Sequence, residues 1–116
     1  MGQKFIREIF YYKNYYRDFF NSLNRDTKKK FNWTLQLIST IERVPEKYLK
    51  HITNSSGIYE IRVEVKSDAY RVFCFFDKGY LVILINGFIK KSEKTDIGEI
   101  KLAEKLKKQY FDEKDE

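Results

Sequence analysis

The sequence predicts a single α+β domain over residues 1–116, ordered β-α-α-β-β-β-α, with an antiparallel sheet packed on a helical hairpin. Three observations carry that prediction. Two successive segments near the N-terminus repeat apolar residues at helical spacing. Three later segments, rich in β-branched and aromatic residues, follow one another across short turn-forming links. A last amphipathic stretch closes the chain. At 116 residues it can bury one core and is too short for two.

The segment "KFIREIFYY" (residues 4–12) reads as a first strand. From Tyr15 the period changes, and Tyr15, Tyr16, Phe19, Phe20 and Leu23 fall at helical spacing until "NRD" interrupts them. Asp26 is the expected N-cap of a second helix, whose inner face carries Phe31, Leu35, Ile38 and Ile41. Pro45 disfavours the helical conformation in the residue before it, so this helix stops at or before Val44. Residues 45–57 form a polar connector ending in an Asn-Ser-Ser-Gly turn signal. Strands are expected at 58–65, 70–76 and 80–90, joined by "KSDA" and "DKG" as antiparallel hairpins. Ile100, Ala103, Leu106 and Tyr110 stripe a final helix over 97–111.

Ten Phe and nine Tyr indicate a folded chain rather than a disordered one. Lys and Arg outnumber Asp and Glu by 23 to 17, a net charge of +6, and the acidic end "DEKDE" leaves the body more basic still. That balance favours a polyanionic partner, most often nucleic acid. A single cysteine, Cys74, excludes an internal disulfide, and one His with one Cys cannot build a conventional metal site. No cofactor is expected. The longest apolar run, "YLVILI", is too short to span a membrane, and "MGQKFIREIF" is too polar for a secretory signal, so a cytoplasmic protein without a membrane partner is expected.

Strand alternation places the charges. With Ser67 and Asp68 at the hairpin tip, Glu64 opposes Arg71 and Arg62 opposes Phe73. One sheet face then carries Glu60, Arg62, Glu64 and Arg71, and the other carries Ile61, Val63, Val65, Val72 and Cys74. With Lys78 and Gly79 at the next tip, Arg71 pairs with Asn86. Leu84, Phe88 and Lys90 then share the arginine face, and Lys91 points away. The arginine face also holds Phe73 and Phe75, too apolar to remain bare.

Three stretches in order, "IYEIR" at 58–62, "YRV" at 70–72 and "GFIKKSEKT" at 87–95, resemble the RelE/ParE toxin superfamily. The resemblance is nearest to the HigB-like, phage-derived branch of type II toxin–antitoxin systems, and it accounts for essentially the whole chain. It implies a ribosome-dependent mRNA endonuclease that works at the ribosomal A site and is held inactive by a helix-turn-helix antitoxin. Several relatives place a Tyr or His near the C-terminus for acid–base chemistry, a position to which Tyr110 and Phe111 do not clearly align.

Metal-independent RNA cleavage needs attack by the 2′-OH on phosphorus, and fixed guanidinium groups stabilise the charge that builds on the non-bridging oxygens. Arg62 and Arg71 are the candidates for that role, with Lys90 beside them. The general base is either Glu60, on the same face, or a lysine whose pKa is lowered by neighbouring positive charge. A histidine ordinarily titrates in a suitable range, but His51 has no positional partner. Lys50, His51, Lys91 and Lys94 are candidate RNA contacts. The plain alternatives are cross-strand pairing of the arginines with Glu60 and Glu64, solvated lysines at a strand end, and a connector histidine without a role. Two other functions fit the outline: a ParE-like toxin that poisons gyrase without cutting RNA, and a non-catalytic basic RNA-binding module.

Overall fold

Apolar residues at every second position of Tyr59–Val65 demand one buried face, and that segment forms β3 of a five-stranded sheet. The computed structural model describes residues 4–115. In chain order the elements are β1 (Glu8–Tyr11), α1 (Tyr15–Asn21), α2 (Arg25–Thr40), β2 (Leu49–His51), β3, β4 (Asp68–Asp77), β5 (Leu81–Lys90) and α3 (Ile97–Lys114). The strands lie in the order β1-β5-β4-β3-β2. The predicted α+β class and order therefore hold, with two differences. The connector contributes β2, antiparallel to β3, and β1 pairs parallel to β5, so the sheet is mixed. Among the described residues no helix is long and apolar enough to cross a membrane.

The helical hairpin covers the face predicted to be wholly apolar. Phe31 and Ile38 pack there with Ile61, Val63, Val72, Cys74, Val82 and Leu84. Asn24, not Asp26, caps α2: its backbone is extended and its side chain accepts from the Thr27 amide at 2.9 Å. Asp26 sits in the first turn, where its charge suits the helix N-terminus. At the other end Arg7 donates to the carbonyls of Ile38, Ile41 and Glu42, which the helix itself leaves unpaired.

On the opposite face α3 covers Phe73, Phe75, Ile83 and Ile85 with Ala103 and Leu106. Its C-terminal half is anchored by Asp77, which accepts from Tyr110 Oη and Lys114 Nζ, each at 2.7 Å. Further along, Glu104 accepts from Ser56 and Lys107 donates to the Ser56 carbonyl.

Two register expectations change. The β3–β4 turn falls at Lys66 and Ser67, with Lys66 at φ 57°, so Arg62 opposes Arg71 and Glu64 opposes Ala69. That is a slip of two residues, which preserves every side chain's face. Between β4 and β5 the ladder breaks: Cys74 pairs with Leu84 and Val72 with Gly87, so Phe73 alone faces Ile85 and Asn86. The bulge inverts the alternation. Leu84, expected on the arginine face, lies in the hairpin-side core, while Phe88 and Lys90 beyond the bulge reach the arginine face as expected.

Gly87 follows the bulge because α1 comes too close for a side chain. A Cβ there would lie 2.5 Å from the Phe19 ring. Gly87→Ala is expected to cost about 1–3 kcal/mol through displacement of Phe19, measured by urea denaturation; an unchanged midpoint would show that α1 yields freely. The Lys114 and Tyr110 hydrogen bonds hold the Asp77 carboxyl below its ordinary range. A lowered folded-state pKa contributes stability above the unfolded carboxyl's pKa, and that contribution is lost as pH falls through the folded value. Asp77→Asn should therefore destabilise the protein by roughly 1 kcal/mol at neutral pH. The difference from the parent should shrink in melts below about pH 4.

Candidate functional site

Strand pairing sets three rows of side chains on the part of the α3 face that the helix leaves open. Lys50 opposes Glu60, which opposes Phe73; Arg62 opposes Arg71, which opposes Phe88; Glu64 opposes Ala69, which opposes Lys90. The Phe73 and Phe88 rings meet edge to face at 5.3 Å and form an apolar floor.

The middle row is electrostatically unfavourable by itself, since like charges directly across a strand pair repel. Glu60 compensates, with Oε1 3.3 Å from Arg62 Nε and 3.9 Å from Arg71 Nε. Arg71 is only 4% exposed, and its Nη1 donates to its neighbour's carbonyl, that of Tyr70, at 3.0 Å. Yet the Nε atoms of both arginines are buried without an aligned acceptor among the described residues. Burial lowers the Arg71 pKa, the nearby Arg62 charge lowers it further, and Glu60, Glu64 and Asp96 oppose the shift.

Lys90 borders this pair from β5. Its Nζ is 2.8 Å from Asp96 Oδ2 and 2.9 Å from the Lys94 carbonyl, so the start of α3 orients it. Asn86 is fastened to the same helix turn through the carbonyl and carboxylate of Glu99. Two contiguous hollows result. One, of about 330 Å³, is lined by Lys50, Glu60, Arg62, Phe73, Lys90 and Asp96; the other, of about 500 Å³, by Arg62, Arg71, Lys90 and Lys91 among others.

Of the residues singled out from sequence, Glu60, Arg62, Arg71, Lys90 and Lys50 converge on this cleft. Lys91 lines it too, although strand alternation predicted that it points away. The strand ends at Lys90, so alternation no longer governs residue 91. Lys94 supplies its main-chain carbonyl to Lys90. His51 belongs to β2 and reaches the cleft rim, but its ring packs on Tyr59 at 5.1 Å, and Tyr59 packs in turn on Phe76 of the hairpin-side core. Asp96 was missed; its place just ahead of a helical pattern was the available signal. Tyr110 lies elsewhere, packed on Phe75 and bonded to Asp77, four residues along β4 from Phe73 at the cleft floor, or about 13 Å at about 3.3 Å per residue. Among the described residues no three His, Cys, Asp or Glu side chains group as metal ligands. What the cleft offers is a concave surface where Lys50, Arg62, Arg71, Lys90 and Lys91 meet the carboxylates of Glu60, Glu64, Glu93 and Asp96, with cations that can receive an oxyanion beside carboxylates that can take a proton.

Comparison with known proteins gives two findings. Residues 18–108 match the family described as phage derived protein Gp49-like (DUF891). The fold is similar to that in a crystal structure of the archaeal RelE-RelB complex from Pyrococcus horikoshii OT3, with a TM-score of 0.53 and 16% identity, covering 72% of this chain and 94% of that one. No curated protein matches.

Because Glu60 is the counter-charge for two opposed arginines, Glu60→Gln should destabilise the fold by about 1–3 kcal/mol. Adding Arg71→Met should restore part of that loss in chemical denaturation. No recovery would mean that Glu60 contributes through packing alone.

Proposed function

The chain belongs to the phage-derived Gp49-like family, a RelE/HigB-type toxin family, and we propose that it is a ribosome-dependent mRNA endonuclease restrained by a helix-turn-helix antitoxin. The observation that carries this reading is the cross-strand pair Arg62–Arg71, two guanidiniums packed against one carboxylate with both Nε atoms buried and lacking an aligned acceptor. A phosphodiester in the cleft would meet the partly exposed Arg62 guanidinium, with the Arg71 charge behind it. The likeness to the RelE chain of a RelE-RelB complex supports a partner antitoxin for this protein as well.

In the proposed reaction Glu60 Oε takes the proton of the 2′-OH as that oxygen bonds to phosphorus. The P–O5′ bond breaks, and the products are a 2′,3′-cyclic phosphate and a free 5′-OH. Arg62, the more exposed of the pair, meets the non-bridging oxygens where charge accumulates in the transition state, and Arg71 adds its charge from behind. Lys90 turns from Asp96 toward the departing 5′ oxygen and stabilises its charge until a proton from solvent water completes the 5′-OH. Lys50, Lys91 and the rim residue His51 flank the path of the RNA backbone, and Lys94 follows next to Lys90, which it holds through its main-chain carbonyl. Tyr110, engaged with Asp77, has a structural part only.

The test is controlled expression with mapping of cellular mRNA 5′ ends within minutes of induction, beside a culture expressing Arg62→Ala with Arg71→Ala. New ends inside translated codons are expected, and the double variant should lose them by at least about a hundredfold. Growth arrest with intact mRNA would overturn the nuclease reading and point to gyrase or another protein target. Absence of both arrest and cleavage from soluble protein would leave a non-catalytic basic module.

A further inference from the structure

Arg62 also lines a third hollow, outside the cleft and of about 230 Å³, together with Lys30, Lys47, Tyr48, Glu64 and Lys66. Four elements distant in sequence meet there: α2 brings Lys30, the segment before β2 brings Lys47 and Tyr48, β3 brings Arg62, and the β3–β4 turn brings Lys66. Trp33, one turn along α2 from Lys30, packs edge to face on Tyr48 with centroids 5.5 Å apart, yet stays 48% exposed. Lys30 Nζ stands 5.1 Å from the Trp33 ring centre, and Lys47 Nζ stands 5.6 Å from that of Tyr48.

Isolated cation–π pairs on a surface are ordinary and worth little. Here the two pairs share one aromatic contact, and the hollow beside them carries four basic residues against one carboxylate, Glu64. An acidic peptide would satisfy the ammonium groups and leave the half-exposed indole unused. Single-stranded RNA satisfies both, since each phosphate meets a cation and each base has a face to stack. Arg62 makes this surface continuous with the cleft.

We infer that Trp33 and Tyr48, flanked by Lys30, Lys47 and Lys66, form a stacking subsite for a nucleotide of single-stranded RNA neighbouring the one cut in the cleft. The inference rests on the ribonuclease reading for the meaning of "neighbouring", and it can fail independently of it. Trp33 is the chain's only tryptophan, so its emission reports on this surface alone.

The full-length protein is titrated with a short 2′-O-methyl oligoribonucleotide, which lacks the attacking hydroxyl and separates binding from cleavage. Saturable quenching of Trp33 is expected. Inorganic polyphosphate, which has charge without bases, should quench far less. Trp33→Ala, at a half-exposed position that does not threaten the core, should weaken binding about tenfold by anisotropy of a labelled oligonucleotide. Lys30→Ala with Lys47→Ala should flatten the slope of log affinity against log salt by roughly 1.4. RNA binding without quenching, or unchanged affinity in Trp33→Ala, would overturn the subsite even if mRNA cleavage in cells is found. Quenching by poly-glutamate as strong as by RNA would assign the surface to an acidic protein partner instead. Quenching and weakened variants in a protein that cuts nothing would keep the subsite and overturn the nuclease.

Discussion

Everything at the candidate site depends on one extra residue in β5. Leu84 and Lys90 are six positions apart, and strict alternation would put both on the same face. Leu84 is needed in the core under the helical hairpin, while Lys90 is needed beside the arginines. The bulge at Ile85 and Asn86 resolves the conflict by setting two residues against Phe73. Asn86, turned toward α3, is tied to Glu99, and Gly87 lets Phe19 approach the strand just beyond. The glycine at the head of "GFIKKSEKT" thus serves packing, and the lysines behind it are delivered to the cleft by the same irregularity.

The cleft is a place where local stability is low. Opposed arginines, one of them almost fully buried, are an unfavourable pair that burial makes worse and that a single carboxylate offsets. Neither Nε finds an aligned acceptor among the described residues, so each is a buried donor left unsatisfied. The surrounding fold tolerates this because two cores flank it. One is under the hairpin, and the other, between α3 and the sheet, reaches the cleft at its floor, Phe73 and Phe88. The C-terminal helix links the two needs. Its last turns are fixed to Asp77, and its first residues present Asp96 and Glu99 to Lys90 and Asn86.

Much of this was legible in the sequence because it depends on parity. Arg62 and Arg71 share a face under any register slipped by two residues, so the wrong turn position still gave the right grouping. Lys90 reached the correct face in the expectation for a different reason: a register without the bulge, which also misplaced Leu84. Pattern reasoning does not see a bulge, because an inserted residue leaves no periodic trace until the partner strand is laid beside it. β2 escaped notice for a related reason. Three residues are too few to show alternation, and pairing with β3 alone makes them a strand.

By itself the sequence determined the class of fold, which residues of β3 and β4 face each core, and the collection of basic side chains on one sheet face, since these follow from hydrophobic period and charge. Only the tertiary structure decided how those side chains meet. It set Arg62 directly against Arg71, gave both to Glu60, turned the His51 ring onto Tyr59, and joined Trp33 and Tyr48 from separate segments. These are contacts between elements far apart in the chain, fixed by turn geometry, a bulge and the close approach of α1. No local pattern encodes a distance across strands.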